Sequence, residues 1–241
     1  MFIFDPTYIL VIIGLIASMF ASAKLKNTYA KYSKIESSKH LTGAEVAKRI
    51  MEANDIYGVS VAPIQGELTD HYDPSKKTVN LSRGIYDGTS IAALGVAAHE
   101  CGHVIQDSTE YFPLRLRHAL VPVANIGSGL AMPLILIGII FGGLINQFFH
   151  SSDAAGTLIE IGIIAYSLAV LFQIVTLPVE YNASKRAKEQ LFSLGLISAD
   201  ERDSVKQVLS AAALTYVAST LASLLSLFRL ILLTGGGRNR G

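Results

Sequence analysis

Three observations predict an α+β membrane protein, with about four transmembrane helices and a small domain where a buried helix meets a short β-sheet. Four apolar runs are separated by polar stretches. The polar region between the first two runs contains period-two alternation, the mark of strands. Hydrophobic residues make up 51% of the 241, and the mean hydropathy is +0.43. That is too apolar for an ordinary soluble domain of this size. The net charge of +1 provides no polyelectrolyte surface, which argues against nucleic acid as a partner. Cys101 is the one cysteine, so no intrachain disulfide forms and nothing signals an oxidising compartment.

The first run, Tyr8 to Ala23, carries no charge and is about long enough to span a bilayer. Ala21-Ser22-Ala23 resembles a signal-peptide cleavage site, but no positive charge precedes the run. The positives follow it, at Lys24, Lys26, Lys31 and Lys34. The positive-inside rule therefore predicts an uncleaved anchor whose C-terminal end is cytoplasmic. Next, Leu41 to Met51 reads as a helix, with Thr42 and Glu45 spaced as a capping box. Val59 to Ile64 and Thr78 to Ser82 alternate as strands, with a turn at Asp73 to Lys77. An exposed edge of that sheet is a place where an extended peptide could bind by main-chain hydrogen bonds.

Ile91 to Ala98 reads as a buried helix, preceded by the turn Asp87-Gly88 and by Thr89 or Ser90 as cap. The second apolar run, Ala119 to Ile145, contains Pro122 and Pro133 as sites of kinking. A loop without Lys or Arg follows, from Asn146 to Thr157. The third run is Leu158 to Leu177, and Pro178 marks its end. Lys185 to Leu194 reads as a separate polar helix stopped by Gly195. Ser198 and Glu201 have the spacing of a second capping box. The fourth run, Ala211 to Leu233, is rich in small residues that suit helix packing in a membrane. Arg229 near its end sits awkwardly on the outer side, and a membrane-surface or re-entrant segment is the alternative there. The tail from Gly235 is expected to be disordered. Arg115 and Arg117 inside, the bare loop outside, and Lys185, Arg186 and Lys188 inside give one consistent topology. The expected divisions are an anchor (1–23), a cytoplasmic domain (24–118), a transmembrane hairpin (119–177), cytoplasmic helices (178–207) and a last transmembrane helix with its tail (208–241).

The chemistry lies in His99-Glu100-Cys101-Gly102-His103, a His-Glu-x-x-His pattern. Residues four apart on a helix share a face, so His99 and His103 can hold one metal between them. Zinc lowers the pKa of a bound water to about 7, and Glu100 is placed to take its proton. Two histidines and a glutamate in a buried helix are costly unless something satisfies them, which argues against a purely structural role. The domain carrying them is therefore expected to be zincin-like. Cys101 faces away from the histidine line and reads as a small buried residue.

A catalytic zinc usually takes three protein ligands. His71, Asp107, His118, His150 and Glu180 are candidates for the third. His150 falls on the outer side, and Asp107 reads better as a support for the histidines. Glu180 is favoured by position, emerging just inside the membrane at the start of a polar helix. Tyr181, Lys185 and Arg186 lie near it, and nothing in the sequence selects among them as a donor for the developing oxyanion.

The His99 to His103 motif, followed far downstream by Leu177-Pro178-Val179-Glu180-Tyr181-Asn182-Ala183-Ser184, resembles the YugP-type neutral zinc membrane metallopeptidases. The stretch Leu68 to Pro74 also looks like that family, and the resemblance spans nearly the whole chain. More distantly, Glu180-x-x-Ala183 is similar to the second motif of the HtpX-type membrane proteases. There the glutamate is the third zinc ligand, so the resemblance implies that role for Glu180. The HtpX-type pattern has an aspartate four residues later, and here that position is Ser184.

The resulting expectation is a membrane zinc metalloendopeptidase with His99, His103 and Glu180 on Zn2+ and Glu100 as general base. Its substrates would be protein or peptide, in juxtamembrane or unfolded segments, and its setting the lipid bilayer of the cell membrane. The competing reading is a catalytically lapsed metal-binding scaffold or chaperone, against which the intact Glu100 counts. A transporter is weaker still, because the apolar runs are nearly free of charge.

Overall fold

The computed structural model describes residues 5–150 and 153–235. In chain order the elements are α1 (Tyr8–Tyr32), α2 (Gly43–Ala53), β1 (Ser60–Ile64), β2 (His71–Asp73), β3 (Thr78–Ser82), α3 (Arg83–Tyr86), α4 (Ile91–Ser108), α5 (Phe112–Ile140), α6 (Gly142–Phe148), α7 (Ala154–Ser193) and α8 (Arg202–Gly235). The chain is thus mostly helical, with one small sheet. Among the described residues, α1, α5, α7 and α8 are long and apolar enough to cross a membrane. The expected fold class is the one observed. The tail beyond Gly235 lies outside the described residues.

The chain forms two compact units. One comprises residues 1–19, 116–176 and 217–241. Its large apolar side chains are mostly exposed, among them Leu15, Ile16, Met19, Ile126, Ile140 and Ile164. That surface suits lipid rather than water. Helices approach closely through small residues, as expected where apolar packing must drive association. A Cβ on Gly14 would lie 2.9 Å from Ala222 Cα, and one on Gly127 would lie 2.6 Å from the Ala165 carbonyl. Arg229, awkward in the sequence, has a partner here. Its guanidinium donates to Asp5 at 2.9 Å and lies over the Tyr8 ring. α8 is continuous from Arg202 to Gly235.

The other unit comprises residues 20–115 and 177–216. Its core joins Val46 and Ile50 of α2, Val79 and Leu81 of β3, most of α4, Ala187 and Leu191 of α7, and Val205 and Val208 of α8. α2 starts with the full capping box, Thr42 and Glu45 each accepting the other's backbone N–H. The sheet order is β1-β3-β2. β1 runs parallel to β3, with Ser60 opposite Thr78, while β2 is antiparallel to it, with Tyr72 opposite Val79. Central β3 buries Val79 and Leu81 completely. Pro63 lies in β1, an edge strand where a missing donor is tolerated. β2, with three residues, and α3, with four, are too short to show a period in the sequence.

Two expectations change in the helices. Pro178 does not end the third run, because α7 continues through it to Ser193. Glu180 is therefore in the middle of a 40-residue helix rather than at the start of one. Pro122 and Pro133 also lie inside one helix, α5. Apolar helices tolerate proline when the freed backbone groups find other partners. The stop at Gly195 is observed. Its φ is +62°, and the Gly195 and Leu196 amides donate to the Phe192 and Leu191 carbonyls. That pattern is a Schellman motif, which favours glycine at its left-handed position.

Ahead of α8, the buried Glu201 carboxylate accepts from the Ser198 amide at 2.7 Å and the Ser38 amide at 2.6 Å. Burial alone would raise its pKa, but those amides outweigh burial and hold it below the ordinary carboxylate value. A depressed value stabilises the fold above the ordinary carboxylate pKa, and that benefit disappears as pH falls through the depressed value. Glu201→Gln should cost about 1–3 kcal/mol at neutral pH. In thermal unfolding of the detergent-solubilised protein, the gap between wild type and variant should narrow under acid. A gap that does not vary with pH would refute this account.

Candidate metal centre

α4 is positioned by its own N-cap and by burial. The Ser90 hydroxyl accepts from the Ala93 amide at 3.2 Å, which makes Ser90 the cap, while Thr89 instead donates to Glu36. Ile91, Ala92, Ala93, Leu94, Ala97 and Ala98 are all buried. This apolar sleeve carries His99 and His103 on one face, their rings edge to face at 4.9 Å. Glu180 reaches them from α7 and is 2% exposed. One of its oxygens lies 3.3 Å from His99 Nε2 and 3.6 Å from His103 Nε2.

Gly102 sets the distance between the two helices. A Cβ there would lie 2.4 Å from the Ala183 carbonyl oxygen. The α4 and α7 backbones are therefore in contact one turn beyond Glu180. Nothing bulkier than glycine at 102 and little more than alanine at 183 permits this.

The donor set fits a single divalent ion. One atom from each of His99, His103 and Glu180 lies within 4.8 Å of the others. Zinc bonds of about 2.0–2.2 Å at tetrahedral angles place neighbouring donors roughly 3.3–3.6 Å apart, which matches the two histidine–carboxylate separations. Two nitrogens and one carboxylate leave a fourth position open, the pattern of a catalytic rather than a structural zinc.

The remaining nitrogen of each imidazole is also engaged. His99 Nδ1 lies 3.1 Å from the Ser184 hydroxyl, and His103 Nδ1 lies 3.0 Å from Gln106 Oε1. Such contacts orient metal-binding histidines. Ser184 stands where the HtpX-type pattern has aspartate, and it reaches the same ring that a support residue would. Gln106 went unrecognised in the sequence. Its only signal there was its place three residues after His103.

Glu100, between the two histidines in sequence, is buried at 7% exposure. Burial pushes its pKa up to about 7. His99 opposes that shift, while Glu180 and Asp70 add to it. Cys101 is fully buried against the Ala47 carbonyl, and burial raises its thiol pKa, so it is an inert core residue.

Among the described residues, the other candidate ligands do not join the trio. His71 begins β2, exposed, with its ring nitrogens against the Thr69 carbonyl and the Asn80 amide. Asp107 accepts from the Tyr72 hydroxyl at 2.8 Å and Lys77 at 2.7 Å. His118 and His150 belong to the other unit. Of the candidate oxyanion donors, Lys185 pairs with Glu189, Arg186 donates to Asn182, and Tyr181 is exposed.

Two imidazoles and a carboxylate around one point, in an α+β fold with four membrane-type helices, define a zinc-peptidase class of membrane protein. A family model described as "Putative neutral zinc metallopeptidase" matches residues 7–235, and the chain belongs to that family. It is also similar to the "Putative membrane protease YugP" of Bacillus subtilis (strain 168). The two are 47% identical over 230 residues, which cover 95% of this chain and 97% of the relative. No solved structure matches significantly. The cofactor of this class is zinc.

Gly102→Ala should force α4 and α7 apart. It is expected to destabilise the protein by about 1–3 kcal/mol and to weaken zinc binding measured by equilibrium dialysis. Unchanged zinc affinity would mean that the backbone contact does not set the site.

Proposed function

We propose that this protein is a multi-pass membrane zinc metalloendopeptidase whose site faces the cytoplasm and which acts in the turnover of membrane proteins. The observation that carries the reading is Glu100. It is a buried carboxylate beside the zinc-type donor set, with its pKa raised to about 7. A site that only stored metal would gain nothing from it.

His99, His103 and Glu180 would hold zinc, which would supply Lewis acidity at the scissile carbonyl. Glu100 would take a proton from the attacking water and deliver it to the leaving amine. A carboxyl group that titrates near neutrality can do both. The His99 and His103 rings hold their geometry through Ser184 and Gln106. β2 gives the substrate a place to lie. It is an edge strand, and Asp70 and His71 at its start are near enough to bear on the charge of Glu100. An extended peptide paired to that edge would bring its carbonyls toward the centre. Glu180 follows the apolar run Leu158 to Leu177 by three residues, which favours substrates close to the bilayer.

Glu100→Gln is expected to keep near-normal zinc content and to lower kcat/KM on a membrane-protein substrate by about 10²–10⁴-fold. Full biological activity in that variant would transfer the function to a metal-binding scaffold. For topology, a cysteine introduced at Gln147 should be labelled from outside the cell by a membrane-impermeant thiol reagent. The native Cys101 is buried and should give little background. Labelling only after lysis would reverse the proposed orientation.

A further inference from the structure

We infer that Gln106 is a positioning residue that holds His103 as its Nδ1–H tautomer, so that the Nε2 lone pair faces the metal position. The inference rests on the metal-centre reading above. A neutral imidazole has one N–H and one lone pair, and only the lone pair can bind a metal. Which nitrogen keeps the proton is set by the hydrogen bond made at the other position.

Here the hydrogen-bond network settles that choice, because both of its ends are one-way groups. The Arg186 guanidinium can only donate, and the Val179 carbonyl can only accept. Arg186 Nε donates to Asn182 Oδ1 at 2.8 Å, which fixes that atom as oxygen. The same oxygen accepts from Gln106 Nε2 at 3.0 Å. Gln106 Nε2 also donates to the Val179 carbonyl at 2.8 Å. Both hydrogens of the Gln106 amide are then used. Its oxygen is left 3.0 Å from His103 Nδ1, where it can only accept. The Glu180 carboxylate faces Nε2 and also can only accept, but it stands 3.6 Å away against 3.0 Å for Gln106. The shorter contact keeps the proton on Nδ1.

The reversed amide is ruled out by the same contacts. It would set the Gln106 oxygen against the Val179 carbonyl and the Asn182 oxygen, two repulsive pairs in a fully buried position. Ser184 gives His99 no such direction, because a hydroxyl can donate or accept. The two metal-facing rings are thus governed differently. One tautomer is imposed from Arg186 through Asn182 and Gln106, and the other is free to adjust.

The test uses the full-length protein in detergent, stripped of metal, with 15N-labelled histidine. Spectra are taken across a pH series, and the tautomer is read where each ring carries a single proton. His103 should show its proton on Nδ1, and a proton on Nε2 in the wild type would overturn the inference. Gln106→Met should shift the population toward Nε2–H and weaken zinc binding by about 10–100-fold. Gln106→Glu keeps an oxygen facing Nδ1 but sets its other oxygen against the Val179 carbonyl and Asn182 Oδ1; it should keep the His103 proton on Nδ1 and recover part of the affinity lost in Gln106→Met. Equal losses in both variants would make Gln106 merely structural, and no loss in either would also refute the role. If Gln106→Met does not fold, the wild-type tautomer and the Glu variant still decide. Failure of the wild type to bind zinc at all would sink the metal-centre reading and leave the tautomer assignment standing.

Discussion

At Gly102 the α4 backbone comes so close to the Ala183 carbonyl of α7 that no β-carbon fits between them. The geometry of the metal centre depends on that contact. It brings the Glu180 carboxylate over a pair of imidazoles that α4 already holds in line. The same approach places Ser184 against His99 and lets Gln106 reach the Val179 carbonyl across the helix pair. Helices ordinarily pack at about 8–10 Å, kept apart by their side chains. Here a glycine and an alanine replace that spacing with backbone contact, and the side chains of the adjoining turns meet as chemistry rather than as packing.

The parts of this arrangement that could be read from the sequence are the local ones. The His-Glu-x-x-His spacing follows from helix geometry alone, and the caps at Thr42 and Ser90 follow from residue type. The four apolar runs follow from composition. Glu180 was favoured among five candidates by its position, and the resemblance strengthened the choice; its contacts were not readable, because its partners are about eighty positions away. Gln106 and Ser184 were not readable at all as supports. Glutamine and serine are common on polar helix faces, and nothing local reveals a carbonyl or an imidazole arriving from another element. Asp107 shows the converse. Helical spacing put it on the histidine face, but Tyr72 of β2 and Lys77 of the turn before β3 are its partners.

Pro178 misled the reading for a different reason. Its lost amide and its clash with the preceding turn would end a helix in water. In α7 the helix continues through Pro178 to Ser193. Glu180 is therefore inside a helix, thirteen residues from its end, and not at a frayed start. β2 was missed because three residues are too few to show a period. It exists because it pairs with β3, whose own buried face is well marked.

The Asp5–Arg229 pair makes two distant stretches of sequence depend on each other. Its members are 224 residues apart in the chain, yet they meet at 2.9 Å. A charged group among apolar helices is costly unless a partner satisfies it, and each member of this pair is that partner for the other. Both side chains are mostly buried, so a change that removes one charge strands the other. The two segments are therefore coupled in what they tolerate: α8 can keep an arginine at 229 only while the stretch ahead of α1 keeps its carboxylate.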